Sequence, residues 1–371
     1  MCQVTNRLLF IGLTIGSLFF SCGSKDKKEQ TAEKDKSEVV VINERWSEEK
    51  ANAWAKDKPW FRGSNFTPST AINQLEFWQE ETFDPATIDK ELGWAEAIGL
   101  NCMRVYLHHA AWEIDTTGFK KRVNEFLSIA KKHNIATIFV LFDDCWNPTY
   151  STGKQPEPKP GVHNSGWVRD PGDLLYTSTD VMPVLEAYVK DVLESFKDDD
   201  RILLWDLYNE PGNSGYGNRS MPLLKNVFEW AREVNPSQPI SSGVWNLRLT
   251  DLNKFQVEHS DIITYHNYND EIEHQQTIDT LKLYNRPMIC TEYMARRNHS
   301  FFSNIMPILK EQNIGAINWG LVDGKTNTKY AWDEPIPDGA EPELWFHEIF
   351  RKDGTPYKQE EVDLIKSLTK D

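Results

Sequence analysis
The sequence predicts an α/β chain folded as a single (β/α)8 TIM barrel. Two observations carry that reading. From about residue 58 onward, short apolar runs alternate with longer helical patterns, and there are eight such runs. Alternating units imply parallel strands joined by right-handed crossovers, and eight of them close a barrel. The strand candidates are Trp60–Phe66, Cys102–His108, Ala136–Phe142, Ile202–Tyr208, Pro239–Trp245, Ile262–Tyr268, Pro287–Tyr293 and Ala316–Leu321. Helical periodicity fills 86–98, 117–133, 180–197, 221–234, 271–284 and 301–312, more weakly 250–259, and finally 342–351 and 358–369. Pro85 after Asp84 and Pro222 after Ser220-Met221 mark helix starts, because proline is tolerated in a first turn. The Val39–Lys58 segment, with Trp46 and Trp54, reads as a short helix packed under or beside the barrel.

Composition narrows the partners. The 371 residues are 39% hydrophobic and 26% charged, which is ordinary for a globular chain long enough to bury a large core. A net charge of −15 excludes the basic footprint that a nucleic-acid binder needs. The 14 Trp, 12 Tyr and 18 Phe exceed what a core requires and suit flat apolar ligands such as sugar rings.

The N-terminus is an address. Arg7 and the apolar Leu8–Phe20 run form a signal peptide over residues 1–21, too short for a comfortable membrane span. Leu18-Phe19-Phe20-Ser21-Cys22 resembles a bacterial lipobox, with Phe19 and Phe20 in place of smaller residues. The resemblance implies a lipidated Cys22 and a membrane anchor; a plain secretory signal is the alternative. Residues 22–38 are a charged, solvated tether, and 39–371 form the barrel body. The expected location is the outer membrane or cell surface of a bacterium, with a periplasmic or secreted protein as alternative. Cys102, Cys145 and Cys290 form no disulfide framework, and no CxxC spacing supports zinc; a single pair is left open.

Barrel chemistry sits at the C-terminal ends of strands. Those ends carry Arg104, Asp143, Asp144, Trp146, Asn209, Glu210, Trp245, His266, Tyr268, Glu292 and Trp319. Glu210 and Glu292 each follow an apolar run, and strands four and seven face each other across the mouth. Two carboxylates across a cleft supply what glycoside hydrolysis needs: a proton donor, and a nucleophile or base opposite.

Asn209-Glu210-Pro211 on strand four and Cys290-Thr291-Glu292-Tyr293 on strand seven resemble the motifs of clan A glycoside hydrolases, nearest to the cellulase-like family 5. The resemblance covers residues 58–350. It implies a retaining β-glycosidase with Glu210 as acid/base and Glu292 as nucleophile, needing no cofactor or metal. Asn209 would hold the sugar 2-hydroxyl, Arg104 and Tyr268 would donate to Glu292, His266 would bond Glu210 or a sugar hydroxyl, and Trp319 would stack on the sugar. Glu210 must start protonated, so its pKa is expected to be raised.

Asp143-Asp144 departs from the family, where a histidine is common; a pair of acids can bind sugar hydroxyls or a cation, and sugar is favoured because no His or further carboxylate sits beside them at metal-ligand spacing. Adjacent His108 and His109 should point to opposite faces of a strand, which disfavours a metal pair. The long 147–179 connection reads as a subsite wall with Trp167 as a sugar platform; 212–220 and 323–341 are further rim segments. The expected substrate is a β-linked polysaccharide or oligosaccharide of glucan, mannan, xylan or galactan type, cut internally by a monomer. The alternative is a surface lipoprotein that binds glycan on the same barrel without turnover.

Overall fold
The computed structural model describes residues 44–370. The expected signal peptide, Cys22 and the expected tether lie outside the described residues. Eight strands run in chain order: β1 (Arg62–Asn65), β2 (Cys102–Tyr106), β3 (Ala136–Asp143), β4 (Ile202–Asn209), β5 (Ile240–Ser241), β6 (Ile263–His266), β7 (Met288–Tyr293) and β8 (Gly315–Trp319). The α-helices are α1 (Glu48–Lys56), α2 (Gln74–Trp78), α3 (Pro85–Ala97), α4 (His109–Ile114), α5 (Thr116–Lys132), α6 (Leu174–Thr177), α7 (Val181–Phe196), α8 (Met221–Val234), α9 (Thr250–His259), α10 (Glu271–Leu281), α11 (Phe302–Glu311) and α12 (Gln359–Thr369).

All pairings within the sheet are parallel, in the order β5-β4-β3-β2-β1-β8-β7-β6. The remaining gap is bridged by Val244, whose N–H donates to Thr264 O (3.0 Å) and whose carbonyl accepts from His266 N (2.9 Å). The result is the nearly closed (β/α)8 barrel that the sequence predicts. β5 is shorter than its apolar run because side chains take over the ladder: Ser260 Oγ accepts from Ser242 N (3.2 Å) and Gln256 Nε2 donates to Gly243 O (2.6 Å).

The bottom of the barrel is plugged. Ile138, Leu204, Ile262, Ile289 and Ile317 meet Trp46 and Ala51 of the α1 segment, whose N-cap is Ser47. Asp261 Oδ1 accepts from Trp46 N at 2.8 Å, and Arg286 Nη2 donates to Trp46 O at 2.8 Å, tying the plug down. Chemistry is left to the other end. Among the described residues no helix is long and apolar enough to cross a membrane.

Residues 342–351 are not the expected helix. Buried Arg296 captures the carbonyls a helix would use, donating to Trp345 O (3.0 Å), Glu348 O (2.9 Å) and His347 O. In the same stretch Glu348 is fully buried; Thr328 Oγ1 donates to one carboxyl oxygen and the other has no partner. Burial pushes its pKa up to about 8, and that of Glu91 and Asp143 to about 7. The folded state holds these protons more tightly than the unfolded chain, so their stabilisation is complete at acid pH and is lost as pH rises towards 8. Buried His108, His163 and His274, lowered to about 4, act only as pH falls below the ordinary histidine value of 6.5. Melting temperature should therefore drop by about 3 °C or more between pH 6.5 and 8.5. Thermal scans of Glu348→Gln should show a flatter profile; an unchanged slope would remove Glu348 as the cause.

Candidate active site
Strand register assembles the mouth. β1 sets Asn65 beside Arg104 and, on its other side, Trp319; β3 and β4 pair Asp143 with Asn209; β6 and β7 pair His266 with Glu292. Of these, Trp319, Asp143, Asn209, His266 and Glu292 line a cavity of about 870 Å3. Glu210, at the turn after β4, has φ +46°, and Trp146, after β3, has φ +69°. Both are non-glycine residues in the left-handed region, a strain that clusters where function needs a side chain aimed.

Arg104, 0% exposed, ties the site together. Its Nη1 donates to Glu292 Oε1 (2.7 Å) and Asn65 Oδ1 (2.9 Å), and its Nη2 donates to Asp206 Oδ2 (2.7 Å) and Asn209 Oδ1 (2.7 Å). A buried guanidinium is tolerated only when paired and fully hydrogen-bonded, and here Asp206 of β4 satisfies the charge independently of Glu292. Glu292 accepts further bonds from Tyr106 Oη (2.9 Å) on Oε1 and from Tyr268 Oη (2.7 Å) on Oε2. Both oxygens accept, the pattern of an ionised carboxylate.

Glu210 has different neighbours. His266 Nδ1 lies 2.8 Å from Oε1, while Oε2 accepts from Asn213 Nδ2 and from the Cys145 thiol (3.2 Å). Burial alone would raise this carboxyl, as the sequence reading expects. The bonds from His266, Cys145 and Asn213 outweigh burial, and its pKa lies below the ordinary value. One oxygen of Glu210, one nitrogen of His266 and one oxygen of Glu292 all lie within 4.8 Å of one another.

Burial and neighbouring carboxylates hold the Cys145 thiol protonated, so it acts as a donor to Glu210 and not as a nucleophile. Replacing it destabilises the Glu210 carboxylate. Cys145→Ala should lower kcat/KM by about 3- to 10-fold and move the alkaline limb of the pH profile upward. A downward move would contradict the donor role.

Asn209 lines the cavity, its amide nitrogen donating to Asp143 Oδ1 (2.9 Å). Trp146, Trp245 and Trp319 also line the cavity, with Trp245 Nε1 anchored on Pro211 O (3.1 Å). Two residues are placed otherwise than expected. Trp167 touches the cavity but is only 2% exposed; its Nε1 donates to Asp143 Oδ2 (2.7 Å) and its ring stands edge-on to Tyr106, so it supports the floor and offers no open platform. Asp144 does not line the cavity. Its carboxylate accepts from Tyr208 Oη (2.7 Å), Gly212 N (2.8 Å) and Ser220 Oγ (2.5 Å), fixing the turn that carries Glu210.

His108 and His109 do not point to opposite faces. The strand ends before them, His108 caps α4 and His109 opens it, and their rings stack 5.3 Å apart beside Asp170. Among the described residues, His108/His109/Asp170 and Glu210/His266/Glu292 are two groups able to converge on a cation. In the first, His108 Nδ1 accepts from Ala110 N (3.2 Å), His108 Nε2 meets Arg169 O (3.2 Å) and His109 Nδ1 pairs with Asp170. That is a satisfied structural clasp under the β3 loop. In the second, His266 Nδ1 stands 2.8 Å from Glu210 Oε1 and 3.5 Å from Glu292 Oε2.

Tyr106, Asp206, Cys145 and Asn213 were not singled out from sequence. Tyr106 and Asp206 had a signal: Tyr106 is two residues from Arg104 on one strand face, and Asp206 is an acid inside an apolar strand. Cys145 and Asn213 had none.

The family described as Cellulase (glycosyl hydrolase family 5) matches this chain over residues 70–332. A search of curated protein sequences finds no match. Among solved structures, the exo-β-1,4-mannosidase Op5Man5 from Opitutaceae bacterium strain TAV5 superposes with a TM-score of 0.61 at 16% identity, covering 84% of this chain and 60% of that one. A GH5_18 protein from Streptomyces cattleya, in complex with Manβ1-4GlcNAc, gives 0.58 at 12% identity over 84% and 80%. The hyperthermostable endo-1,4-β-D-mannanase from Thermotoga petrophila RKU-1 gives 0.54 at 14% identity over 84% and 99%. Identities this low establish the shared barrel, whereas the family match spans well over half of the sequence and includes both strand-end glutamate-bearing regions. The chain therefore belongs to glycosyl hydrolase family 5 and is a glycoside hydrolase.

Proposed function
We propose that the chain is a retaining β-glycosidase in which Glu292 is the nucleophile and Glu210 the general acid/base. One observation carries this: two carboxylates within 4.8 Å, one accepting from a guanidinium and two phenols, the other hydrogen-bonded to an imidazole. A short separation leaves no room for water between the carboxylates, as inversion requires, and suits direct attack on the sugar.

In the first step a Glu292 oxygen attacks C1 and the C1–O bond breaks. The departing oxygen takes a proton from Glu210. His266 Nδ1, 2.8 Å from Glu210 Oε1, gives that carboxyl a route by which its proton is supplied as the leaving oxygen gains charge. In the second step Glu210 removes a proton from water, the water oxygen attacks C1, and Glu292 departs. Arg104 and the two phenols stabilise the carboxylate as it returns.

The substrate is a β-linked glycan. The structurally similar proteins include a β-mannanase, a β-mannosidase and a complex with Manβ1-4GlcNAc, which makes β-mannosides the first substrates to try. Hydrolysis of an aryl β-glycoside panel, lost in Glu292→Ala and insensitive to chelator, is the expected result. Sugar binding with no turnover on any substrate would instead favour the glycan-binding reading. We also propose that Cys22 is lipidated and anchors the protein to a membrane. Cys22→Ala should move it to the soluble fraction; continued membrane association would contradict the anchor.

A further inference from the structure
The cavity is walled at one end and open at the other. The loop after β3 is fastened to the segment after β8: Asn164 N donates to Thr326 O (2.8 Å), Ile336 N donates to Gly161 O (3.0 Å), and His163 Nδ1 meets Tyr330 O (2.8 Å). At this seam the two backbones touch. Gly161 has φ +68°, and a Cβ there would lie 1.7 Å from Ile336 O. Behind the seam Trp167 covers Tyr106, and no residue of β1 or β2 lines the cavity.

The wall stands beside the nucleophile. The His163 ring lies 6.3 Å from Trp332, and Trp332 lies 5.2 Å from Tyr268, which donates to Glu292. The opposite flank, past Glu210, is lined by exposed Ser214, Arg248 and Leu247, the last 59% exposed. A sugar attacked by Glu292 lies towards the wall, and the leaving group protonated by Glu210 lies towards the open flank.

The wall also carries unmet hydrogen-bonding capacity. Both side-chain polar atoms of buried Asn164 lack partners, as does Nε2 of buried His347, and both residues line the cavity. Buried polar groups without partners are rare and point to a ligand that completes them. A chain interior would run into this wall. A non-reducing terminal sugar instead ends there with a free hydroxyl, which an amide and an imidazole can bond as donor and acceptor.

We infer that the wall formed by the β3 and β8 loops is a recognition site for the non-reducing terminal sugar, with Asn164 and His347 reading its free hydroxyls. The enzyme then removes single sugars from chain ends, in place of the internal cleavage the sequence reading expects. This rests on the roles given to Glu210 and Glu292.

The test uses β-1,4-mannopentaose and β-1,4-cellopentaose, each labelled at the reducing end, with products followed from the first few per cent of conversion. The expected first products are unlabelled monosaccharide and labelled tetraose. Asn164→Ala should lower kcat/KM on the pentaose by about tenfold or more. Trp332→Ala, at a ring already 37% exposed and so a mild risk to folding, should add disaccharide to the first products. Di- and trisaccharides as first products of the wild type, or release of labelled monosaccharide, would overturn the inference while leaving the glycosidase reading intact. No cleavage of either pentaose or of aryl β-glycosides would overturn both.

Discussion
Glu292→Ala should reduce turnover of an activated aryl β-glycoside by at least about 10^4-fold while the protein stays folded. The activity follows from chemistry: without the carboxylate no oxygen is positioned to bond C1, and an activated leaving group cannot compensate. The stability follows from the hydrogen bonds of Arg104. Removing one partner of a buried ion pair usually costs several kcal/mol, about 3–5, because a charge is stranded. Arg104 is not stranded, since its Nε and Nη2 keep Asp206 Oδ2 at 2.9 and 2.7 Å. Steady-state rates and a thermal melt on the same sample check both halves. Residual activity within tenfold of wild type would remove Glu292 from the role.

Glu210→Ala should divide substrates by leaving group. An oligosaccharide leaves as a poor alkoxide and needs the proton, so its rate should fall by about 10^2- to 10^4-fold. A dinitrophenyl glycoside needs no proton, and its first step should survive. Its second step loses the base that activates water, so the glycosyl-enzyme should accumulate and give a burst of phenol followed by slow turnover. Stopped-flow absorbance with both substrates measures this. Equal loss on the two substrates, with no burst, would show that Glu210 does not handle the proton.

Much of this molecule is legible in its sequence because the barrel places chemistry by a simple rule. Eight apolar runs end in polar residues, and the ends that matter meet: Arg104, His266 and Tyr268 do reach the two glutamates. The rule fails where side chains replace backbone. Ser260 and Gln256 cut β5 short, and Arg296 unmakes the expected helix at 342–351, and no periodicity reveals such captures. It also cannot say which way a polar residue just past a strand turns. Asp143 and Asp144 are adjacent, yet one borders the cavity and the other holds the Gly212 turn from behind. His108 and His109 break the alternation expected of a strand because α4 has already begun. The wall residues His163, Asn164, Trp332 and His347 come from two irregular segments far apart in sequence, and only the seam between them makes them one surface.

The electrostatics of Glu210 were legible only in part. Burial at a strand end argues for a raised pKa, but the imidazole, thiol and amide around it come from three other places in the chain. Their combined donation decides the sign. The donors that hold Glu210 low must yield to a substrate oxygen before it serves as the acid.

The most direct test of the central claim is the configuration of the first sugar released from an aryl β-glycoside, followed by proton NMR before mutarotation. Double displacement through Glu292 predicts the β-anomer as the first-formed product. The α-anomer appearing first would mean a single displacement by water and would contradict the covalent role of Glu292.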